Sequence, residues 1–157
     1  MSEINNNKSS SVDIVSLDKL PQFNAGSGRL VTLNNPINLS TLSNNIKDKL
    51  NLKNLRIATP WQHKGNLETV KIQTIAICAG SGKSVFGRCK ADLLFTGELD
   101  HHFVLSSIEA GSSVICTEHT NSERGYLPHL KQKLEKLFEN SISFIVSTED
   151  RDPLSVY

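Results

Sequence analysis

His119 and Glu123 stand four residues apart. At helical spacing, four residues bring two side chains to one face. An imidazole nitrogen and a carboxylate so placed can share one divalent ion. The same stretch has another use. Thr120-Asn121-Ser122-Glu123 reads as a capping box, in which Glu123 bonds back to the Thr120 N–H. A second polar cluster, Thr96-Gly97-Glu98-Leu99-Asp100-His101-His102, follows a short apolar run. Glu98 is a candidate site carboxylate because it falls at a strand end. His101 and His102 are adjacent, and near a helix start neighbours diverge by about 100°, so at most one of them reaches a shared site. The bland reading of this cluster is a helix start whose acidic residues suit the dipole. A third motif, Ala79-Gly80-Ser81-Gly82-Lys83-Ser84, ends as a phosphate loop does. The full loop needs a glycine where this chain has Ile77. That departure favours a tight strand-to-helix turn lining a cleft, with anion binding through helix N–H groups left open. Nucleotide binding through Gly80–Ser84 is the weakest of the functional readings. His63, His129 and Trp61 have no partner pattern, and Arg124 beside Glu123 suits an anion or a surface pair.

These residues need elements to position them. From Val70 onward the pattern alternates. Strands are expected at Val70–Cys78, Asp92–Phe95, Ser113–Cys116 and Ile142–Val146. Helices are expected at about 84–90, at His101–Ala110 with Gly111 closing it, and at Asn121–Phe138. Pro128 lies too deep for a first-turn proline in that last helix, so a break near Tyr126–Leu127 is expected. Such an order predicts an α/β fold, a largely parallel or mixed sheet with helices packed on it. Upstream, Val12–Leu20, Arg29–Leu33 and Leu55–Thr59 read as short strands, with Asn34-Asn35-Pro36 ending the second. Leu39, Leu42, Ile46 and Leu50 mark an amphipathic helix over Ser40–Leu50, capped by Ser40 or Thr41.

The chain has 157 residues, enough for one ordinary domain. Residues 1–12 are rich in Asn, Ser and Lys and are expected to be disordered. A single α/β domain is expected over 13–150, followed by a polar tail at 151–157. Lys and Arg total 17 against 16 Asp and Glu, which provides no long-range field for nucleic acid or an anionic membrane. No apolar run has the length of a membrane span, and the polar N-terminus lacks a signal-peptide core. Cys78, Cys89 and Cys116 form no Cys-x-x-Cys pair, and Cys78 and Cys116 sit in apolar runs as core thiols. A reducing compartment follows, with cytoplasm expected and the nucleus left open.

Taken together, Gly26-Ser27-Gly28-Arg29, Cys78-Ala79-Gly80-Ser81-Gly82, Ala91-Asp92, Thr96-Gly97-Glu98, His102 and His119 with Glu123 resemble the C-terminal part of the NIF-three-like family, the GTP cyclohydrolase type 2 homologues. The resemblance implies an incomplete version of that family's two-lobed fold. It implies that His119 and Glu123 are metal ligands of a di-metal site, with His102 near the metals and Glu98 in an acidic motif position. In the resulting hydrolase reading, Glu98 or His102 orients water or moves protons. Zinc, manganese, iron or cobalt would be the ions. The family's remaining ligands, a histidine pair and an aspartate, have no counterpart in this sequence, so a truncated gene product, a separate partner chain or lost metal chemistry are all expectations. Family members form rings, which implies a homo-oligomer. Eukaryotic members suggest the alternative function, a non-enzymatic regulatory or scaffold protein with protein partners that include transcriptional regulators.

Overall fold

The two faces of one sheet are laid out by alternation within its strands. In Ile75-Ala76-Ile77-Cys78, Ile75 and Ile77 pack toward one side, and Ala76 and Cys78 toward the other. The structure, a computed structural model, describes residues 26–87, 89–149 and 152–153. The expected disordered stretch 1–12, the strand at Val12–Leu20 and most of the tail lie outside them.

Five strands form the sheet: β1 (Arg29–Asn38), β2 (Arg56–Ala58), β3 (Lys71–Ser81), β4 (Leu93–Glu98) and β5 (Ser113–Cys116). Their order is β1-β3-β4-β5-β2. β3, β4 and β5 are parallel, and the two edge strands run antiparallel to their neighbours. The mixed α/β sheet expected from the sequence is therefore present, with its parallel part at the centre. There the residues are buried on both faces: all four of β5 are buried. The helices are α1 (Leu39–Leu50), α2 (Lys83–Phe86), α3 (His101–Glu109), α4 (His119–Glu123) and α5 (Leu127–Leu137).

One core cluster joins α1 to the sheet through Leu39, Ile46, Ile72, Ile75, Leu93 and Ile115. The opposite cluster joins Phe86, Leu94, Val114 and Cys116, with Phe103 and Val104 of α3 against it. Each leucine fully buried in this way stabilises the fold by about 1.5–3 kcal/mol. Asp92 ties the start of β4 to β3. Its Oδ2 accepts from the Gln73 N–H (2.9 Å), the Thr74 N–H (2.8 Å) and the Thr74 hydroxyl (2.9 Å).

Several boundaries depart from the sequence reading. β1 runs through Asn34-Asn35-Pro36 to Asn38, with a register shift between Thr32 and Ile37. An edge strand tolerates a proline because its outward N–H has no ladder partner. α1 starts at Leu39 with Asn38 as its N-cap, ahead of Ser40 and Thr41. β3 continues through Gly80 to Ser81, where the sequence suggests a turn. α2 stops at Phe86, followed by Gly87 at φ +47°. The expected long helix breaks as predicted. A 3₁₀ turn at Arg124–Tyr126 separates α4 from α5, and Pro128 then falls in the first turn of α5. Ile142–Val146 forms no strand. It returns along α5, with Phe144 stacked near Phe138 at 5.9 Å and its carbonyl taken by Lys131 Nζ. The reason is geometric. α5 has no buried residue and does not lie on the sheet, so the apolar return segment meets the stripe of α5 instead of a strand edge.

Candidate functional site

The C-terminal ends of β3 and β4 meet the N-terminus of α4. Three features hold them together. The Gly80 N–H donates to Ser122 Oγ (2.8 Å), and Ser122 Oγ donates to the His119 carbonyl (2.7 Å). The Gly80 carbonyl accepts from Thr96 Oγ1 (3.0 Å). Gly80 has φ +66°, and a Cβ there would lie 2.7 Å from Glu123 Oε1 and 3.0 Å from His119 Nε2. Only glycine satisfies both the backbone conformation and the space. Gly97 is the counterpart on β4: a Cβ there would lie 2.6 Å from Ser122 Oγ and 2.7 Å from the Gly80 carbonyl oxygen. The glycines of the Ala79–Gly82 motif therefore serve close approach of backbone to a side-chain pair, and Lys83 is spent on an ion pair with Asp100 (2.8 Å), the N-cap of α3.

His119 sits in the middle of a row. Glu98 Oε1 lies 2.9 Å from its Nδ1, and Glu123 Oε1 lies 3.4 Å from its Nε2. The structure thus brings Glu98, His119 and Glu123 together. The Thr120–Glu123 capping box does not form. α4 begins at His119, Thr120 is inside it, and Glu123 turns toward the imidazole. His102 is exposed at the start of α3, its ring 5.7 Å from that of His101. Among the described residues no hydrogen bond or ion pair joins it to the row.

The hydrogen bond that His119 donates to Glu98 holds the His119 pKa above the ordinary histidine value of 6.5, against partial desolvation and with help from the Glu123 charge. A carboxylate on Nδ1 fixes the ring and directs Nε2 at Glu123. The three side chains are about half exposed, at 46%, 47% and 53%, so solvent and solutes reach them.

Among the described residues no group of three or more His, Cys, Asp and Glu side chains could hold a metal ion. The geometry gives the reason. The two carboxylates lie on different nitrogens of one ring, and those nitrogens point away from each other. Two donors, His119 Nε2 and Glu123 Oε1, do face each other. Bonds of about 2.0–2.2 Å in a tetrahedron set neighbouring ligands about 3.4 Å apart. The observed 3.4 Å matches that edge and is long for a direct hydrogen bond. The donor set fits as half of a tetrahedral shell.

Two features of the site have no sequence signal. Ser122 reads only as part of a capping box, yet it fastens α4 to Gly80. Glu118, just before His119, has φ 70° and ψ 155°, a region that is nearly glycine-only. Its carboxylate is held by Arg56 of β2 at 3.4 Å. Strain at this position accompanies the sharp entry that starts α4 on His119. Cys78 and Cys116 are buried, and burial pushes both thiols up, as core cysteines require.

The comparisons agree with this architecture. The family model Duf34/NIF3 (NGG1p interacting factor 3) matches residues 2–153. The NIF3-like protein 1 of Dictyostelium discoideum is 47% identical over 146 residues, covering 92% of this chain and 40% of that protein. The GTP cyclohydrolase 1 type 2 homolog of Clostridium perfringens is 38% identical over 141 residues, covering 87% and 51%. A crystal structure of a hypothetical protein from Staphylococcus aureus superposes with a TM-score of 0.68 at 26% identity, covering 83% of this chain and 43% of that one. The chain therefore spans about half or less of the length of these relatives.

Proposed function

This chain belongs to the Duf34/NIF3 (NGG1p interacting factor 3) family, and from that membership we propose that it supplies two ligands, His119 and Glu123, to a divalent-metal hydrolase centre. The remaining ligands would come from protein outside the described residues. The observation that carries the reading is the 3.4 Å gap between His119 Nε2 and Glu123 Oε1 above a glycine that leaves them room. When bound, a divalent ion of the zinc, manganese, iron or cobalt type lowers the pKa of a coordinated water. The protein's own part is positional. Glu98 accepts the Nδ1–H of His119 and so keeps Nε2 as the donor toward Glu123. Gly80 leaves the face of the pair open. Half-exposed Glu98 is the group in the row available to hold or move a proton, and His102 at the start of α3 is the further candidate.

The test is metal analysis of the purified chain after reconstitution with zinc, manganese, iron or cobalt. Uptake that falls at least tenfold in His119→Ala and in Glu123→Ala is the expected result. Glu98→Gln is expected to weaken uptake about 10–100-fold, as loss of a ligand-orienting partner does. Metal uptake indifferent to all three changes would sink the proposal.

One observation favours a second reading, a scaffold or regulatory protein that binds other proteins. α5 carries an apolar stripe with no buried residue, and Leu137 is 72% exposed. A patch of this kind marks interaction surfaces.

A further inference from the structure

We propose that the cavity between α1 and the segment leading into β2 binds a small phosphorylated organic anion. The cavity has a volume of about 250 Å³ and shares no residue with the Glu98–His119–Glu123 row. Its polar lining is Ser40, Asn44 and Lys47 from α1, with Lys53 and Asn54 from the loop that follows. None of these five side chains has a hydrogen-bond or ion-pair partner among the described residues. Among the described residues no carboxylate lines the cavity. Its floor is apolar, made by Leu55, Ile57 and Leu67.

The second cavity in contention shows why this pattern points to a ligand. It is larger, about 490 Å³, and lies near the start of β4 and the end of α3. Its hydroxyls are already used: Ser106 and Ser107 donate to the Phe103 carbonyl, and Ser112 donates to the Ala91 carbonyl. Asp92 there accepts three bonds on one oxygen. These hydroxyls and this carboxylate hold the fold together. In the smaller cavity only Ser43 is used in that way, donating to the Leu39 carbonyl at 2.7 Å.

The free groups also specify the ligand. Lys47 is partly buried and Lys53 is exposed, and neither has an ion-pair partner among the described residues. Two ammonium groups match the charge of a phosphate monoester, about −1.5 to −2 at pH 7. Ser40, Asn44 and Asn54 add neutral donors for its oxygens. The apolar floor calls for a carbon body attached to the phosphate. The volume lies just below the roughly 300–1,000 Å³ range of ligand pockets, which selects a small molecule over a peptide or a polynucleotide.

Calorimetric titration of the full chain with phenyl phosphate and with inorganic phosphate tests this at low salt. Phenyl phosphate is expected to bind at least tenfold more tightly than inorganic phosphate, because only it covers the leucine and isoleucine floor. The Lys47→Gln/Lys53→Gln pair is expected to lose at least tenfold in phenyl phosphate affinity. Lys49→Gln, a neighbouring exposed lysine outside the cavity, is expected to change it less than twofold. No binding of phenyl phosphate at millimolar concentration would overturn the proposal. So would equal affinity for the two probes, or an equal loss in Lys49→Gln, which would mean diffuse surface charge alone. Thermal melting of each variant separates lost binding from lost folding, and the wild-type comparison of the two probes decides the question without any variant.

Discussion

The strand-end site and α5 are neighbours in the chain, separated by a single 3₁₀ turn, yet they are held in different ways. At the site, β3, β4 and α4 are fastened by side chain–backbone bonds through Ser122 and Thr96, and two glycines remove the space between them. α5 has a full apolar stripe and no buried residue; its company is the return segment around Phe144. The contrast teaches that amphipathic spacing makes a helix without supplying a surface for it to cover. Close backbone packing needs no long apolar run, only small residues at the contact.

The largest effect that would sharpen this contrast is at the centre of the sheet. Leu93 is fully buried in β4, and Leu93→Ala is expected to destabilise the fold by about 2–5 kcal/mol in denaturant unfolding. A loss below 1 kcal/mol would mean that the sheet is no more tightly packed than α5.

Asp92 comes next. Removing its carboxylate in Asp92→Ala leaves the Gln73 and Thr74 donors unpaired, an expected loss of about 2–3 kcal/mol. Partial burial acts to raise the Asp92 pKa, but the three hydrogen bonds outweigh it and hold the value below 3.8. A depressed carboxylate pKa contributes stability that is present above 3.8 and lost as the pH falls through the lower folded value. Acid titration of stability should therefore show a loss below pH 3.8 that is smaller in Asp92→Asn. An identical acid profile in the two proteins would remove Asp92 as its source.

Gly80→Ala attacks the site's packing directly. Its Cβ would meet Glu123 Oε1 at 2.7 Å in a positive-φ conformation, so a loss of about 1–3 kcal/mol is expected together with weaker metal uptake. The smallest effect belongs to α5. Leu137→Ser changes a side chain that is 72% exposed and should shift stability by about 0.5 kcal/mol or less. A loss like that of Leu93→Ala would show that α5 is covered in solution.

Much of the architecture was legible because periodicity reports which face a residue buries. The strand at Ser113–Cys116, the α3 helix closed by Gly111 and the break ahead of Pro128 all follow from local pattern and backbone chemistry. The last strand was illegible for the same reason. Ile142–Val146 has strand composition, but pattern says nothing about whether a sheet edge is within reach. Within the site, the four-residue spacing of His119 and Glu123 shows that the two could meet. It does not decide between a capping box and a facing pair, since both use the same residues.

By itself, the sequence determined a mixed α/β sheet, buried cysteines and a set of polar side chains at strand ends. Local propensity and hydrophobic alternation act over a few residues and need nothing distant. The tertiary structure alone decided that Glu98 holds the other side of the His119 ring, 21 residues away in the chain. It also decided that Gly80 leaves that pair its space, and that Glu118 accepts strain so that α4 can begin on His119. These relations depend on how three elements are brought to one end of the sheet. Contacts between distant residues are set by the packing of whole elements, which no local spacing encodes.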